Sequence, residues 1–279
     1  MKQSIEWNRE VLLQSPLFAP LHPVLGCLDT SGFPTLQDCN ALLDAHQPAI
    51  TVQSGMPLRF VAQENGKLPF EAQYEPRCYL KGEVPTRAEN WHDLLNALVW
   101  LTFPKSKSAI NARHYHALTN SWDDAEAATR SERGAVRVVN PLLDESGVIV
   151  AYADAELAGM LQNFQWKPLF WQRRTQVQNS MGFYLFGHGL YEKALNPYVG
   201  MTGQGLLLAV EPAFFGWSQA QQLLHLDELL AEHLAAPEHC RTTRDLSPVP
   251  LLGVPGWAAE NMDAAYYDNT AYFRPGRGR

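Results

Sequence analysis

Apolar positions are most densely patterned in ENWHDLLNALVWLTFPKSKSAINARHYHAL, Glu89 to Leu118, which predicts two helices meeting at Pro104. Around the first, Trp91, Leu94, Leu95, Ala97, Leu98, Val99 and Leu101 cover more than half the circumference, the pattern of a helix buried on most sides. What remains is a narrow strip of His92, Asn96 and Phe103, flanked by Asp93 and Trp100. Asn90 and Asp93 stand at capping-box spacing, with Thr86 and Glu89 as a rival box. On the second helix Lys107, Asn111, His114 and Leu118 recur at i, i+4, i+7 and i+11 beside Ile110 and Ala117, so a polar stripe lies near the core-facing side.

A third interruption lies in MGFYLFGHGLYEKAL, read as a helix over residues 181–195 with Met181, Leu185, His188, Glu192 and Leu195 on one face. His188 and Glu192 break that apolar stripe, and Gly182, Gly187 and Gly189 leave room for another backbone or a ligand to come close. Further helices are predicted at Leu36 to Ala45, Asp123 to Arg133, Ala155 to Phe164 and Ser218 to Ala235. Two β-hairpins are predicted. One turns at Glu64-Asn65-Gly66-Lys67 within LRFVAQENGKLPFEAQYE, the other at Asp144-Glu145-Ser146-Gly147 within AVRVVNPLLDESGVIVAYAD. A short strand is expected at Leu206 to Glu211, and glycine-rich 200–205 reads as a turn before it.

Because the expected strands pair locally instead of alternating with helices, the class is α+β: a mainly helical body with antiparallel hairpins. Residues 1–57 form a proline-rich N-terminal segment and 58–244 the core. From Asp245 onward prolines and glycines are too closely spaced for long elements. Trp257, Tyr266, Tyr267, Tyr272 and Phe273 are costly to leave in water, so 245–279 is expected to be an extended arm packed on the core.

Composition narrows the function classes. The 279 residues are 46% hydrophobic and 18% charged, with a net charge of -7, which argues against broad attraction to nucleic acid or anionic lipid. Arg173–Arg174 and the trio Arg274, Arg277 and Arg279 are too short to make a basic face. No window approaches the roughly 20 apolar residues of a membrane span, and the first residues lack the pattern of a secretory signal. Cys27, Cys39, Cys78 and Cys240 are scattered without a close pair, as in reduced thiols, so a cytoplasmic protein is expected.

The polar strips carry the candidate chemistry. Two imidazoles and a carboxylate can hold a divalent transition metal with open positions for water. His92, or His114, with His188 and Glu192 would supply that set; the same groups can do metal-free acid and base work. The expected site therefore has His92, His188 and Glu192 as catalytic and metal-binding groups, with Asn96, Lys107, Asn111 and His114 orienting a small-molecule ligand. The leading expectation is a hydrolase-type enzyme, metal-assisted in its first version, acting in a helix-lined pocket. The alternative is a non-catalytic binding or interaction module. In that case Asp93 is a helix cap, Lys107 snorkels to solvent, the histidines are hydrogen-bonded core residues, and His188 with Glu192 is a helical polar pair. No HExxH, CxxC, GxSxG or GxxxxGK[ST] motif is present to decide the matter.

Three stretches, NWHDLLNALVWLTFPKSKSAINARH, FYLFGHGLYEKALNPYVGMTG and RDLSPVPLLGVPGWAAENMDAAYYDNTAYFRPGR, together resemble a bacterial family catalogued as domain of unknown function 3025. The resemblance runs from about Leu58 to the end of the chain. It implies one coherent bacterial domain and carries over no catalytic or binding residue.

Overall fold

A computed structural model describes residues 5–119, 138–236 and 239–276. In chain order its main elements are α1 (Arg9–Gln14), α2 (His22–Leu25), α3 (Leu36–Ala45), β1 (Arg59–Ala62), α4 (Tyr74–Lys81) and β2 (Glu83–Thr86). There follow α5 (Trp91–Thr102), α6 (Pro104–Thr119), α7 (138–146), β3 (Gly147–Tyr152), α8 (Ala155–Gln162) and α9 (Arg174–Ser180). The last are β4 (Met181–Leu185), α10 (His188–Ala194), β5 (Thr202–Ala209), α11 (Gln219–Ala235) and β6 (Ser247–Pro250). The fold is α+β: helices dominate, and the strands form one four-stranded and one two-stranded sheet.

Local signals set the helix starts. Thr35 with Asp38 and Ser218 with Gln221 are full capping boxes on α3 and α11. Asn90 caps α5 by accepting from the Asp93 amide at 3.0 Å, but Asp93 does not reach back; its carboxylate takes the Arg87 guanidinium and amide instead. The start of α6 has its partner on α11, where Asp227 accepts from the amides of Lys105 and Ser106 at 3.0 and 2.8 Å.

Strand pairing departs from the sequence expectation. The larger sheet has the order β4-β3-β5-β6, with β3 antiparallel to β4, parallel to β5, and β5 antiparallel to β6. Neither predicted hairpin is present among the described residues. The chain does bend at Gly66, with φ +107°, but Pro69 lacks an amide for a returning ladder. The chain runs on through α4, and β1 pairs in parallel with β2. At the second site, residues 138–146 are helical and lead directly into β3. Val139 and Leu143, one helical turn apart, are both fully buried, and that burial outweighs the turn-like look of Asp144-Glu145-Ser146-Gly147.

The helix expected over 181–195 divides into β4 and α10. Met181, Phe183 and Leu185 alternate inward with period two, whereas the helical reading rested on Met181 and Leu185, one turn apart, and left Phe183 on another face. Thr202 to Gly205, read as a turn, is the first half of β5. The helix predicted at Asp123 to Arg133 lies outside the described residues.

Beyond β6 the chain continues in short 3-10 turns. Tyr267, Tyr272 and Phe273 are buried, and the Tyr272 hydroxyl donates to the Met201 carbonyl at 2.8 Å. No helix among the described residues is long and apolar enough to cross a membrane.

Candidate functional site

The helical part of FGHGL, the start of α10, seats against the junction of α7 and β3, and the two glycines around His188 make that contact feasible. A Cβ on Gly187 would lie 2.5 Å from the backbone nitrogens of Ser146 and Gly147, and one on Gly189 would lie 2.2 Å from Glu145 Oε2. The amides of Phe186 and Gly187 both donate to the Gly147 carbonyl, at 3.0 and 2.9 Å. The last turn of α7, carrying Asp144 and Glu145, is thereby pinned beside His188. On the other side α10 packs on α5, whose first turn carries His92.

Three elements thus bring four side chains together. His92 Nε2 and His188 Nε2 stand 3.1 Å apart; Glu145 Oε1 is 3.4 Å from the second and 3.8 Å from the first. A triangle with those sides has its equidistant point about 2.0 Å from each corner, the usual length of a zinc–nitrogen or zinc–oxygen bond. Glu192 faces the opposite side of the His92 ring, with Oε2 3.0 Å from Nδ1. A carboxylate there accepts the Nδ1 proton, so the neutral ring turns its lone pair toward the triangle.

Behind His188 lies a buried charge pair. Lys107 Nζ donates to Asp144 Oδ1 at 2.5 Å and to Asn96 Oδ1 at 2.9 Å, and Asn96 Nδ2 donates to the Tyr74 hydroxyl at 2.7 Å. Burial pushes the Asp144 carboxyl up, but the Lys107 and His188 charges and the lysine hydrogen bond outweigh it and hold the group below its ordinary value. Interaction with the His188 ring, whose Nε2 lies 3.4 Å from Oε1, draws the Glu145 carboxyl down against the opposing effect of burial. Burial raises the Tyr74 phenol well above its ordinary value.

These groups border a cavity of about 840 Å³, walled by the start of α5, the last turn of α7, the first turn of α4 and the far end of α6. His92, His188, Asp144 and Glu145 line it, as do Asn96 and Tyr74. At another part of the wall His114 Nδ1 lies 3.0 Å from Glu75 Oε1, and Asn111 Nδ2 donates to Glu75 Oε2 at 2.6 Å.

Of the residues expected from sequence, His92, His188 and Glu192 meet, but Glu192 addresses the outer nitrogen of His92 while Glu145 faces the two inner ones. Asn96 and Lys107 stand behind the cluster through Asp144. Asn111 and His114 belong to the separate group on Glu75. Asp144, Glu145, Glu75 and Tyr74 were missed; the i, i+4 pair Val139 and Leu143 was the signal that 144 and 145 sit on a helix. No curated protein and no solved structure matches the chain. Residues 58–277, a span that holds every member of both clusters, match the family described as Protein of unknown function (DUF3025), and the chain belongs to that family.

Proposed function

We propose that the chain is a metal-assisted hydrolase acting on a small molecule, with one divalent ion held by His92, His188 and Glu145. The observation that carries this reading is the triangle of lone-pair atoms, whose common centre lies at bonding distance from all three. Two imidazoliums would set two N–H groups head-on across 3.1 Å, so at most one proton fits between the rings. Charge favours a divalent cation as well. Asp144, Glu145 and Glu192 contribute three negative charges against one from Lys107, which leaves a deficit of two when both imidazoles are neutral.

Two imidazoles and one carboxylate leave coordination positions for water and substrate, the arrangement of catalytic rather than structural zinc sites. An ion so held lowers the pKa of a bound water and polarises a carbonyl or phosphoryl oxygen. In this reading Glu192 takes the outer role, orienting His92 through Nδ1, and Glu145 takes the ligand position that sequence reasoning gave to Glu192. The cavity is within the roughly 300–1,000 Å³ range of small-molecule sites, and its apolar lining by Phe70, Pro85, Leu118 and Pro141 suits a compact organic substrate. The chain's four free cysteines suit the reducing cytoplasm, where we place this chemistry.

A second reading, a binding module without catalysis, is favoured by the closure of Glu75 on His114 and Asn111, which satisfies a polar group at the cavity wall with no chemistry. One experiment separates the two. Chain purified without a histidine tag is loaded with Zn2+, dialysed, analysed for metal and tested on a panel of small esters, amides and phosphoesters. The expected result is about one ion per chain and a hydrolysis that stops on chelation and with Glu145→Ala. A folded chain that retains no metal, or that binds metal and hydrolyses nothing in the panel, contradicts the hydrolase assignment.

A further inference from the structure

Lys107 stands in the apolar wall between α5 and α6, 2% exposed, with its ammonium fixed between Asp144 Oδ1 and Asn96 Oδ1. A buried ion pair seldom gains more from its attraction than it loses in desolvation, so stability alone gives no reason for a lysine here. The reason lies in the other oxygen of Asp144. That oxygen faces His188 Nδ1 at 3.6 Å, and the nitrogen is buried with no hydrogen-bond partner among the described residues.

An ammonium has donors and no lone pairs, so the atom of residue 144 that meets Lys107 must be an acceptor. We propose that Lys107 and Asp144 are positioning residues: Lys107 orients Asp144 so that a bare carboxylate oxygen faces His188 Nδ1, which holds the ring proton there and leaves the Nε2 lone pair for the cation. The inference rests on the metal reading above. On the other ring Glu192 does the same for His92, so each ligand imidazole has its own outer carboxylate.

The arrangement has a consequence that simple packing would not produce. In Asp144→Asn the side chain keeps its shape, but Lys107 claims the amide oxygen and forces the amide N–H₂ onto His188 Nδ1. That nitrogen must then accept, the proton moves to Nε2, and the ring can no longer ligate. Removing the lysine as well frees the amide to turn its oxygen toward His188. The double variant Lys107→Met/Asp144→Asn therefore binds metal better than the single Asp144→Asn.

The test is a Co2+ titration of tag-free chain followed by visible absorption, with circular dichroism to verify the fold. We expect wild type to bind tightest, the double variant about 10-fold weaker and Asp144→Asn about 100-fold weaker, the span typical of outer-sphere partners. Altered absorption bands accompany the losses. If Asp144→Asn alone fails to fold, the double variant, which buries no unpaired charge, is compared directly with wild type and is expected to stay about 10-fold weaker. Wild-type affinity and bands in either folded variant overturn the inference, and so does a double variant no tighter than Asp144→Asn. A wild-type chain that takes up no Co2+ defeats the metal reading itself, and this inference with it.

Discussion

Two buried aspartates flank α6, and they are held in opposite ways. Asp144 meets a buried ammonium and an imidazole, and these partners hold its carboxyl below the ordinary value although burial opposes them. Asp227 caps the start of the same helix; its oxygens are taken up by the amides of Lys105 and Ser106, and burial prevails, raising its carboxyl above the ordinary value. The ammonium of Lys105 donates to exposed Glu228 at 2.6 Å and lowers Asp227 only by its charge. A polar residue kept for architecture is thereby distinguished from one kept for chemistry. Asp227 gives each of its oxygens to a backbone amide, whereas Asp144 leaves an oxygen aimed at a histidine on the cavity wall.

The largest effect that tests this contrast comes from Lys107→Met. The substitution leaves the Asp144 carboxylate buried without its counter-ion, and breaking such a pair costs about 3–5 kcal/mol. Urea unfolding at neutral pH is the measurement. A loss below about 1 kcal/mol would mean that the pair is no more than surface-like.

Next comes Glu145→Ala, which removes a proposed ligand while leaving both aspartates in place. Metal affinity is expected to fall by more than the about 100-fold that an outer partner is worth, with urea stability close to wild type because the Glu145 side chain is 48% exposed. Calorimetric Zn2+ titration reads the first quantity and the same urea curve the second. Unchanged affinity removes Glu145 from the site.

Asp227→Ala sharpens the contrast from the other side. Losing the cap of α6 costs about 1–2 kcal/mol, and Zn2+ affinity remains at the wild-type value because Asp227 lies outside the cavity wall. A change in affinity larger than threefold would join the two aspartates into one functional unit and dissolve the distinction.

The smallest effect is the pH dependence of Asp227→Asn. Because folding raises the Asp227 carboxyl above its ordinary 3.8, the folded chain binds that proton more tightly than the unfolded chain does. Its contribution is fully present below the unfolded value and is lost as pH rises through the folded one. Asparagine has no such loss. The stability difference between variant and wild type is therefore expected to move in the variant's favour as urea curves are taken from pH 3 to pH 7. A difference that is flat or of opposite sign contradicts the raised value.

How much of this was legible depends on where the information lies. The helix pair α5–α6 was readable because Leu94, Leu95, Leu98 and Leu101 repeat at an unbroken helical period, and α3 because its boundaries coincide with a capping box and a clean amphipathic run. The last turn of α7 was not. Asp144-Glu145-Ser146-Gly147 has the composition of a turn, and only the burial of Val139 and Leu143 against the rest of the fold decides for helix. β4 was hidden for a related reason: Met181 and Leu185 stand one helical turn apart, and pairing with β3 decides that Phe183 joins them on one face.

At the site, the stripe carrying Lys107 and the pair His188 with Glu192 were visible as polar residues in apolar surroundings. Their partners were not. Glu145 lies on an element whose approach to α10 depends on the space left by Gly187 and Gly189, a tertiary fact that no local pattern encodes. The glycines announced that something comes close to His188, but not what.

The central claim is that His92, His188 and Glu145 close around one divalent ion. Diffraction data collected at the zinc absorption edge from crystals of the zinc-loaded chain test it most directly. One anomalous peak is expected at about 2.0–2.2 Å from both Nε2 atoms and a Glu145 carboxylate oxygen. Crystals grown with zinc that show no peak between the two rings, with the imidazoles simply hydrogen-bonded to each other, would contradict it.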